Sequence, residues 1–288
     1  MKTLVFKVAA VAGLIGAIAL GIQFYLQGKK DGEGHRLGEV MRMDLVQRVT
    51  IAGTITPLRT TLITAPYNGY VQKLYVSLGD LVKKNAPLVS VAESIFSSGP
   101  VFPIRAPFSG VVVHIQKHQG QSVKQADFKE YLLRLDDITK MFVTAQVPEI
   151  EILKLAKEQK AKIRISAIPN QTYSGVVREI SLAGLTEQEY GRSQVEFSIS
   201  IEMTDFDEKV KPGMTVIADV ISEEKKDVLV LGHEFIHQDD DKYYVITAAG
   251  ARKPVELGLR NESFGEVKSG LEEGTRVRQV DFLGLVEN

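Results

Sequence analysis

The chain has 288 residues, of which 44% are hydrophobic and 25% are charged, a composition that excludes a disordered or collagen-like protein. The chain has 35 Lys and Arg residues and 36 Asp and Glu residues, so it has no excess of positive charge to neutralise a nucleic-acid backbone. We therefore expect no nucleic-acid partner. Cysteine is absent, which excludes disulfides, thiol nucleophiles and thiolate zinc sites.

The first predicted element is an apolar segment from Val8 to Leu26, interrupted only by Gln23. At about 1.5 Å rise per residue, a helix over residues 4–26 is long enough to cross a hydrocarbon core of about 30 Å. The segment therefore predicts a transmembrane anchor within residues 1–30. A cleaved signal peptide is the alternative, because Ala17-Ile18-Ala19 has the small-x-small form of a cleavage site. Both interpretations imply export of the remaining chain.

Small residues recur at every fourth position of this segment and predict a helix face that packs against another membrane helix. They are Ala9, Gly13, Ala17 and Gly21. The alternative is that Ala and Gly are simply abundant in membrane segments, and the spacing alone does not decide between the two.

An internal repeat follows. Ala65-Pro66-Tyr67-Asn68-Gly69-Tyr70-Val71 matches Ala106-Pro107-Phe108-Ser109-Gly110-Val111-Val112 at an offset of 41 positions. Each half predicts an Ala-Pro turn with a glycine suited to positive φ (Gly69 or Gly110), then an alternating strand, then a second glycine turn at Gly79 or Gly120. Two such halves predict a small β-sandwich with its sheets packed face to face.

The two A-P-x-x-G-x-V halves resemble the split lipoyl-like, or biotinyl-like, module. In the carrier enzymes of that fold, a modified lysine lies in the hairpin between the halves. Residues 93–103 occupy this place here and read E-S-I-F-S-S-G-P-V-F-P, without a lysine. An acyl or biotin carrier, which is one alternative function, would therefore lack its attachment point.

The flanking sequence extends the resemblance to the periplasmic adaptor subunits, or membrane fusion proteins, of RND and ABC transporters, including the HlyD type. In the fourth of seven short motifs, Pro212 presets φ and Gly213 supplies the positive φ of a type II turn that Met214 completes. In chain order the motifs are Gly53-Thr54-Ile55-Thr56-Pro57, Val147-Pro148-Glu149, Gly175-Val176-Val177, Lys211-Pro212-Gly213-Met214, Lys253-Pro254-Val255-Glu256-Leu257-Gly258, Val267-Lys268-Ser269-Gly270-Leu271 and Gly274-Thr275-Arg276-Val277.

The resemblance implies an elongated, mainly β fold in which the chain folds back through each module. The implied parts are an anchor (1–30), a membrane-proximal domain (38–49 and 227–288), a β-barrel domain (50–63 and 137–226) and a lipoyl-like domain (64–136). It also implies a single-pass protein of the inner (cytoplasmic) membrane with most of its chain in the periplasm. Its partners would be further copies in a ring and an inner-membrane ABC or RND transporter, whose helices the small-residue face would contact. No cofactor is implied.

The chain departs from the family between the lipoyl halves, where many adaptors carry a long α-helical hairpin that docks to an outer-membrane channel. Only eleven residues, 93–103, fill that place. Two helical arms of even about 12 residues each would need more than twice as many, and Gly99-Pro100 and Pro103 oppose helix formation. The hairpin is predicted to be absent, which puts direct channel docking in doubt and slightly favours an ABC partner.

The same loop is apolar, with Ile95, Phe96, Val101 and Phe102. Exposed, these side chains would form a contact site at the tip of the lipoyl-like domain. Turned inward, they would plug the end of the sandwich, and the sequence leaves both interpretations open.

One catalytic motif is present. His233-Glu234-Phe235-Ile236-His237 has the H-E-x-x-H form of zinc peptidases, which requires both histidines on one face of a helix. Its neighbours Val228-Leu229-Val230-Leu231 and Tyr243 to Thr247 are typical of strands, so we expect no catalytic site. A zinc peptidase, or incidental metal binding by His233 and His237, is the alternative.

Overall fold

The computed structural model describes residues 36–94, 101–189, 192–240 and 242–279. They divide into two compact units, Arg48–Glu223 and a second unit within Met1–Gln47 and Glu224–Asn288. The described residues are mainly β, which confirms that part of the predicted fold class; the α-helix α1 spans only Glu149–Ile152. No helix in these ranges is long and apolar enough to cross a bilayer. The predicted anchor and its face of Ala9, Gly13, Ala17 and Gly21 lie outside the described residues.

The strands follow one another closely along the chain. They are β1 Leu37–Glu39, β2 Met41–Ile63, β3 Gly69–Leu74, β4 Leu81–Val82, β5 Pro87–Ala92, β6 Ile104–Arg105, β7 Gly110–Ile115, β8 Ser122–Val123, β9 Leu133–Pro148, β10 Lys160–Ile165, β11 Thr172–Ile180, β12 Leu185–Glu189, β13 Arg192–Met203, β14 Thr215–Gly232, β15 His237–Asp239, β16 Lys242–Ile246, β17 Arg252–Arg260, β18 Phe264–Ser269 and β19 Arg276–Arg278.

A closed β-barrel forms the larger part of the Arg48–Glu223 unit. Its strands pair in the order β14, β10, β11, β13, β9, and β2 pairs with both β9 and β14, which closes the ring. Alternation explains why these segments are barrel strands: in β10 the side chains of Ala161, Ile163 and Ile165 are buried, whereas the lysines and arginine between them are exposed. The interior is filled mainly by aliphatic side chains from all six strands.

The Lys211–Met214 turn leads into β14 and ties it to β2. Gly213 has a φ of 91°, in the left-handed region that glycine adopts without strain. Its N–H donates to the carbonyl of Ile55 at 2.7 Å, and the N–H of Met214 donates to the carbonyl of Lys211 at 3.3 Å. The proline-glycine turn therefore helps to close the barrel.

A small β-sandwich forms the rest of this unit. One sheet has the order β6-β5-β3-β8, and the other contains β4, β7 and the adjoining ends of β9 and β2. The repeat halves exchange their short strands: Val82 pairs with Gly110, and Val123 pairs with Gly69. The two sheets enclose a core that includes the fully buried Leu88, Leu132, Leu133 and Leu135.

Glycine has two different roles in the repeat. Gly79 and Gly120 have φ values of 89° and 84° and face open space, so these turns require glycine for its backbone freedom. The positive φ predicted for Gly69 and Gly110 is wrong. A Cβ atom at Gly69 would collide with the carbonyl oxygen of Ala92, and one at Gly110 would lie 2.5 Å from that of Asp136, so close backbone approach requires glycine there.

The second unit contains antiparallel strands in the order β15-β16-β17-β18-β14, of which β14 continues from the barrel, and the two-stranded β1-β19 pair. Its core contains Val40, Leu231, Val245, Val255 and Val277, all nearly inaccessible to solvent. The last three of the seven motifs, which begin at Lys253, Val267 and Gly274, lie in this unit.

Candidate functional site

The H-E-x-x-H segment does not form a zincin helix. His233–Phe235 is a single 3₁₀ turn, Ile236 is extended, and His237 begins strand β15. His233 Nε2 lies 2.7 Å from the carbonyl oxygen of Asn261. Because a carbonyl can only accept, that nitrogen carries a proton and has no lone pair for a metal.

His237 is a packing residue. Its ring stacks on Tyr244 with 4.8 Å between centroids, and the Arg252 guanidinium lies 3.6 Å from the Tyr244 centroid while pairing with Asp239 at 2.6 Å. Burial, and then the charge of Arg252, lower the pKa of His237 and favour its neutral form. Among the described residues, no group of three His, Asp or Glu side chains is placed to hold a metal ion. The zinc-peptidase alternative has no geometric basis here.

Within the described part of the 93–103 segment, one aromatic side chain is exposed to solvent. Phe102 is 88% exposed, whereas Val101 is half-buried. Ile95 and Phe96 lie outside the described residues, so both interpretations of the loop remain predictions. Between Ala92, where β5 ends, and Ile104, where β6 begins, none of the described residues is helical.

An apolar cleft of about 970 Å³ lies where the sandwich meets the barrel, within the Arg48–Glu223 unit. Its floor includes Val111 and Val113 of β7, which are half-buried on the outer face of the sheet, whereas Val112 points into the core. Its wall is the segment between β13 and β14, with Phe206 and Val210. The prediction from sequence missed this cleft. One signal was present: β7 contains three consecutive valines, 111–113, where a strand with one wet face would alternate.

An ion pair with a buried carboxylate lines the base of the cleft. The Arg134 guanidinium donates to both carboxylate oxygens of Asp136 at 2.8 Å, and the Thr60 hydroxyl donates to one of them at 2.6 Å. Asp136 has no exposed surface, and Val111 is its cross-strand neighbour. The carboxylate is therefore satisfied within the protein, and the base of the cleft carries no net charge.

A second ion cluster makes the barrel sensitive to acid. Glu202 of β13 accepts from Lys140 Nζ and Arg178 Nε, each at 2.7 Å. The hydrogen bond from Lys140, followed by that from Arg178, holds the pKa of Glu202 below its ordinary value. A lowered carboxylate pKa in the folded state stabilises the protein above the unfolded-state pKa of about 4.3, and this stabilisation is lost as the pH falls further.

We expect Glu202→Gln to destabilise the barrel by about 1 kcal/mol at pH 7. The variant should also lose less stability than the wild type as the pH falls from 7 to below the unfolded-state glutamate pKa of about 4.3. Hydrogen exchange of barrel peptides across this range measures both effects. Glu149→Gln, at an exposed position of α1, is the matched charge control. Equal acid sensitivity in wild type and Glu202→Gln would contradict the assignment.

A model of a known protein family matches the barrel. The model of the YknX-like beta-barrel domain matches residues 141–220, which include strands from β10 to β13 and adjoining parts of β9 and β14. The Macrolide export protein MacA of Yersinia pestis is 29% identical over 60% of this chain and 47% of its own length. The Nodulation protein NolF of Rhizobium meliloti is 28% identical over 69% of this chain and 52% of its own. The chain thus spans about half the length of these curated relatives.

A solved structure shares the fold. MacA from Actinobacillus actinomycetemcomitans matches with a TM-score of 0.70 at 18% identity, over 84% of this chain and 99% of that one. At this identity the likeness concerns the fold alone. It extends well beyond the barrel, because the match covers more of this chain than residues 141–220 contain.

Proposed function

Because the chain belongs to the membrane fusion protein family of periplasmic adaptors, we propose that it is a non-catalytic, membrane-anchored adaptor of a multicomponent efflux or export transporter. The family's members are adaptors rather than enzymes, which agrees with the absence of a zincin helix at His233–His237. The observation that carries the proposal is the closed barrel joined to a split sandwich, with the chain running out through β2 and returning through β9 and β14.

The proposed division of labour follows the modules. Residues 1–30 would anchor the chain in the inner membrane, with Ala9, Gly13, Ala17 and Gly21 against a transporter helix. The membrane-proximal domain (38–49 and 227–288) and the barrel domain (50–63 and 137–226) would grip the transporter's extracytoplasmic part. The lipoyl-like domain (64–136) would pack against neighbouring copies in a ring, so that the transporter's cycle is coupled to substrate passage.

An inner-membrane ABC transporter is the favoured partner, with an RND transporter as the alternative. The support is the short 93–103 segment: eleven residues are too few for a long helical hairpin, which puts direct docking to an outer-membrane channel in doubt. The relative from Yersinia pestis is named as a macrolide export protein, and we propose by analogy that the cargo is a small organic molecule.

Affinity purification of the tagged full chain in mild detergent tests the proposal. We expect a polytopic transporter subunit, identified by its ATP-binding cassette, to copurify. The matched variant Gly13→Leu with Ala17→Leu fills the small-residue face and should weaken this association while leaving the β-rich units folded. Recovery of the chain without any transporter subunit would contradict the adaptor role.

A further inference from the structure

We propose that the cleft between the sandwich and the barrel binds an uncharged, ring-containing small molecule of drug size. The site is defined by Leu78, Val111, Val113, Phe206 and Val210 around the Arg134–Asp136 pair. Its identification as a cargo site rests on the proposed function, whereas binding itself does not.

The size and lining of the cleft match a ligand site. Small-molecule pockets typically have volumes of roughly 300–1,000 Å³ and are mostly apolar with a few placed polar groups, and this cleft of about 970 Å³ lies at the upper end of that range. Leu78 is 66% exposed and Phe206 is 37% exposed, so apolar surface that a ligand would cover is left in contact with water.

The wall of the cleft is held in place before any ligand arrives. Asp207 accepts from Gln171 Nε2 at 3.2 Å and from the N–H of Lys209 at 2.9 Å, and the N–H of Gly213 donates to Ile55 at 2.7 Å. The polar groups of the wall are thus hydrogen-bonded within the protein, and Phe206 and Val210 line the cleft. A preformed wall reduces the entropy cost of binding.

The charges around the cleft favour an uncharged ligand. Arg134 and Asp136 neutralise each other, and Glu208 and Lys211 bring opposite charges to the lining. The third carboxylate of the lining, Asp207, accepts hydrogen bonds from Gln171 Nε2 and from the N–H of Lys209 and is satisfied within the protein. The Tyr131 hydroxyl, 3.0 Å from His114 Nδ1, supplies a polar and aromatic group beside the valine floor. A ring system with hydroxyl or carbonyl groups suits this combination, because a net charge would lose its hydration without gaining a partner.

Because the chain has no cysteine, a single introduced thiol can report occupancy. The experiment uses the full chain with Val113→Cys in lipid nanodiscs and measures the rate of maleimide labelling with and without Nile red, an uncharged ring compound. Since pockets of this kind bury most of a ligand's surface, we expect saturating probe to slow labelling about tenfold. Phe128→Cys, which is 67% exposed and outside the lining set, is the matched control and should label at an unchanged rate.

A charge placed at the rim provides the second arm. Leu78→Asp in the Val113→Cys chain should abolish protection by Nile red without slowing labelling in its absence. Leu78 is 66% exposed, so we expect the fold to be retained, and circular dichroism checks this. Equal labelling with and without probe, or equal protection at Phe128→Cys, would overturn the proposal. So would protection that appears without probe and grows with protein concentration, because a second copy would then occupy the cleft. The adaptor role is judged separately, by copurification.

Discussion

Replacing Gly110 by alanine is expected to destabilise the sandwich by about 3 kcal/mol. The added Cβ would lie 2.5 Å from the carbonyl oxygen of Asp136, a backbone atom held in the β7-β9 ladder, so neither side can yield without breaking strand pairing. Hydrogen exchange of peptides from β7 and β9 in the full chain measures the loss.

Gly79→Ala is the matched control for this prediction. Nothing lies within 4 Å of its Cβ position, and only its φ of 89° opposes a side chain, so we expect a cost of about 1 kcal/mol. If Gly110→Ala costs no more than Gly79→Ala, close backbone approach is not what requires glycine in the repeat.

Replacing Arg134 by alanine should be the most damaging loss of a charged side chain. It leaves the Asp136 carboxylate, which has no exposed surface, with the Thr60 hydroxyl as its remaining side-chain donor in the described structure. Removing one partner of a buried pair costs about 3–5 kcal/mol, and because the Arg134 side chain is itself 37% exposed we expect about 2–3 kcal/mol. Hydrogen exchange of β9 peptides again provides the measurement.

Lys154→Ala is the control for charge removal, because its partner Glu151 lies three residues away on an exposed helix and the pair contributes only about 0.3–0.5 kcal/mol. Asp136→Asn combined with Arg134→Ala should recover part of the loss, since the buried charge is then removed. Equal costs for Arg134→Ala and Lys154→Ala would contradict the view that a buried carboxylate depends on Arg134.

The sequence predicts much of this fold because the relevant signals are local. The repeat of residues 65–71 and 106–112 indicates the sandwich, and the length of 93–103 rules out a long hairpin by arithmetic alone. The strand context of His233 and His237 likewise argues against a zincin helix, and the structure places those residues in a 3₁₀ turn and a strand.

What the sequence misses depends on neighbours that are distant along the chain. Gly69 faces the carbonyl of Ala92 and Gly110 faces that of Asp136, contacts created by strand pairing rather than by turn chemistry. The cleft likewise brings Leu78 and Val111 next to Phe206, a combination that no local motif encodes. The domain boundaries and the apolar tip loop remain predictions.

Native mass spectrometry of the full chain, extracted in mild detergent and purified through a tag, is the most direct test of the adaptor role. We predict an assembly that contains several copies of the 31.8 kDa chain together with a membrane transporter subunit. A chain that is only monomeric and without a transporter, under conditions in which its β-rich units are folded, would contradict it.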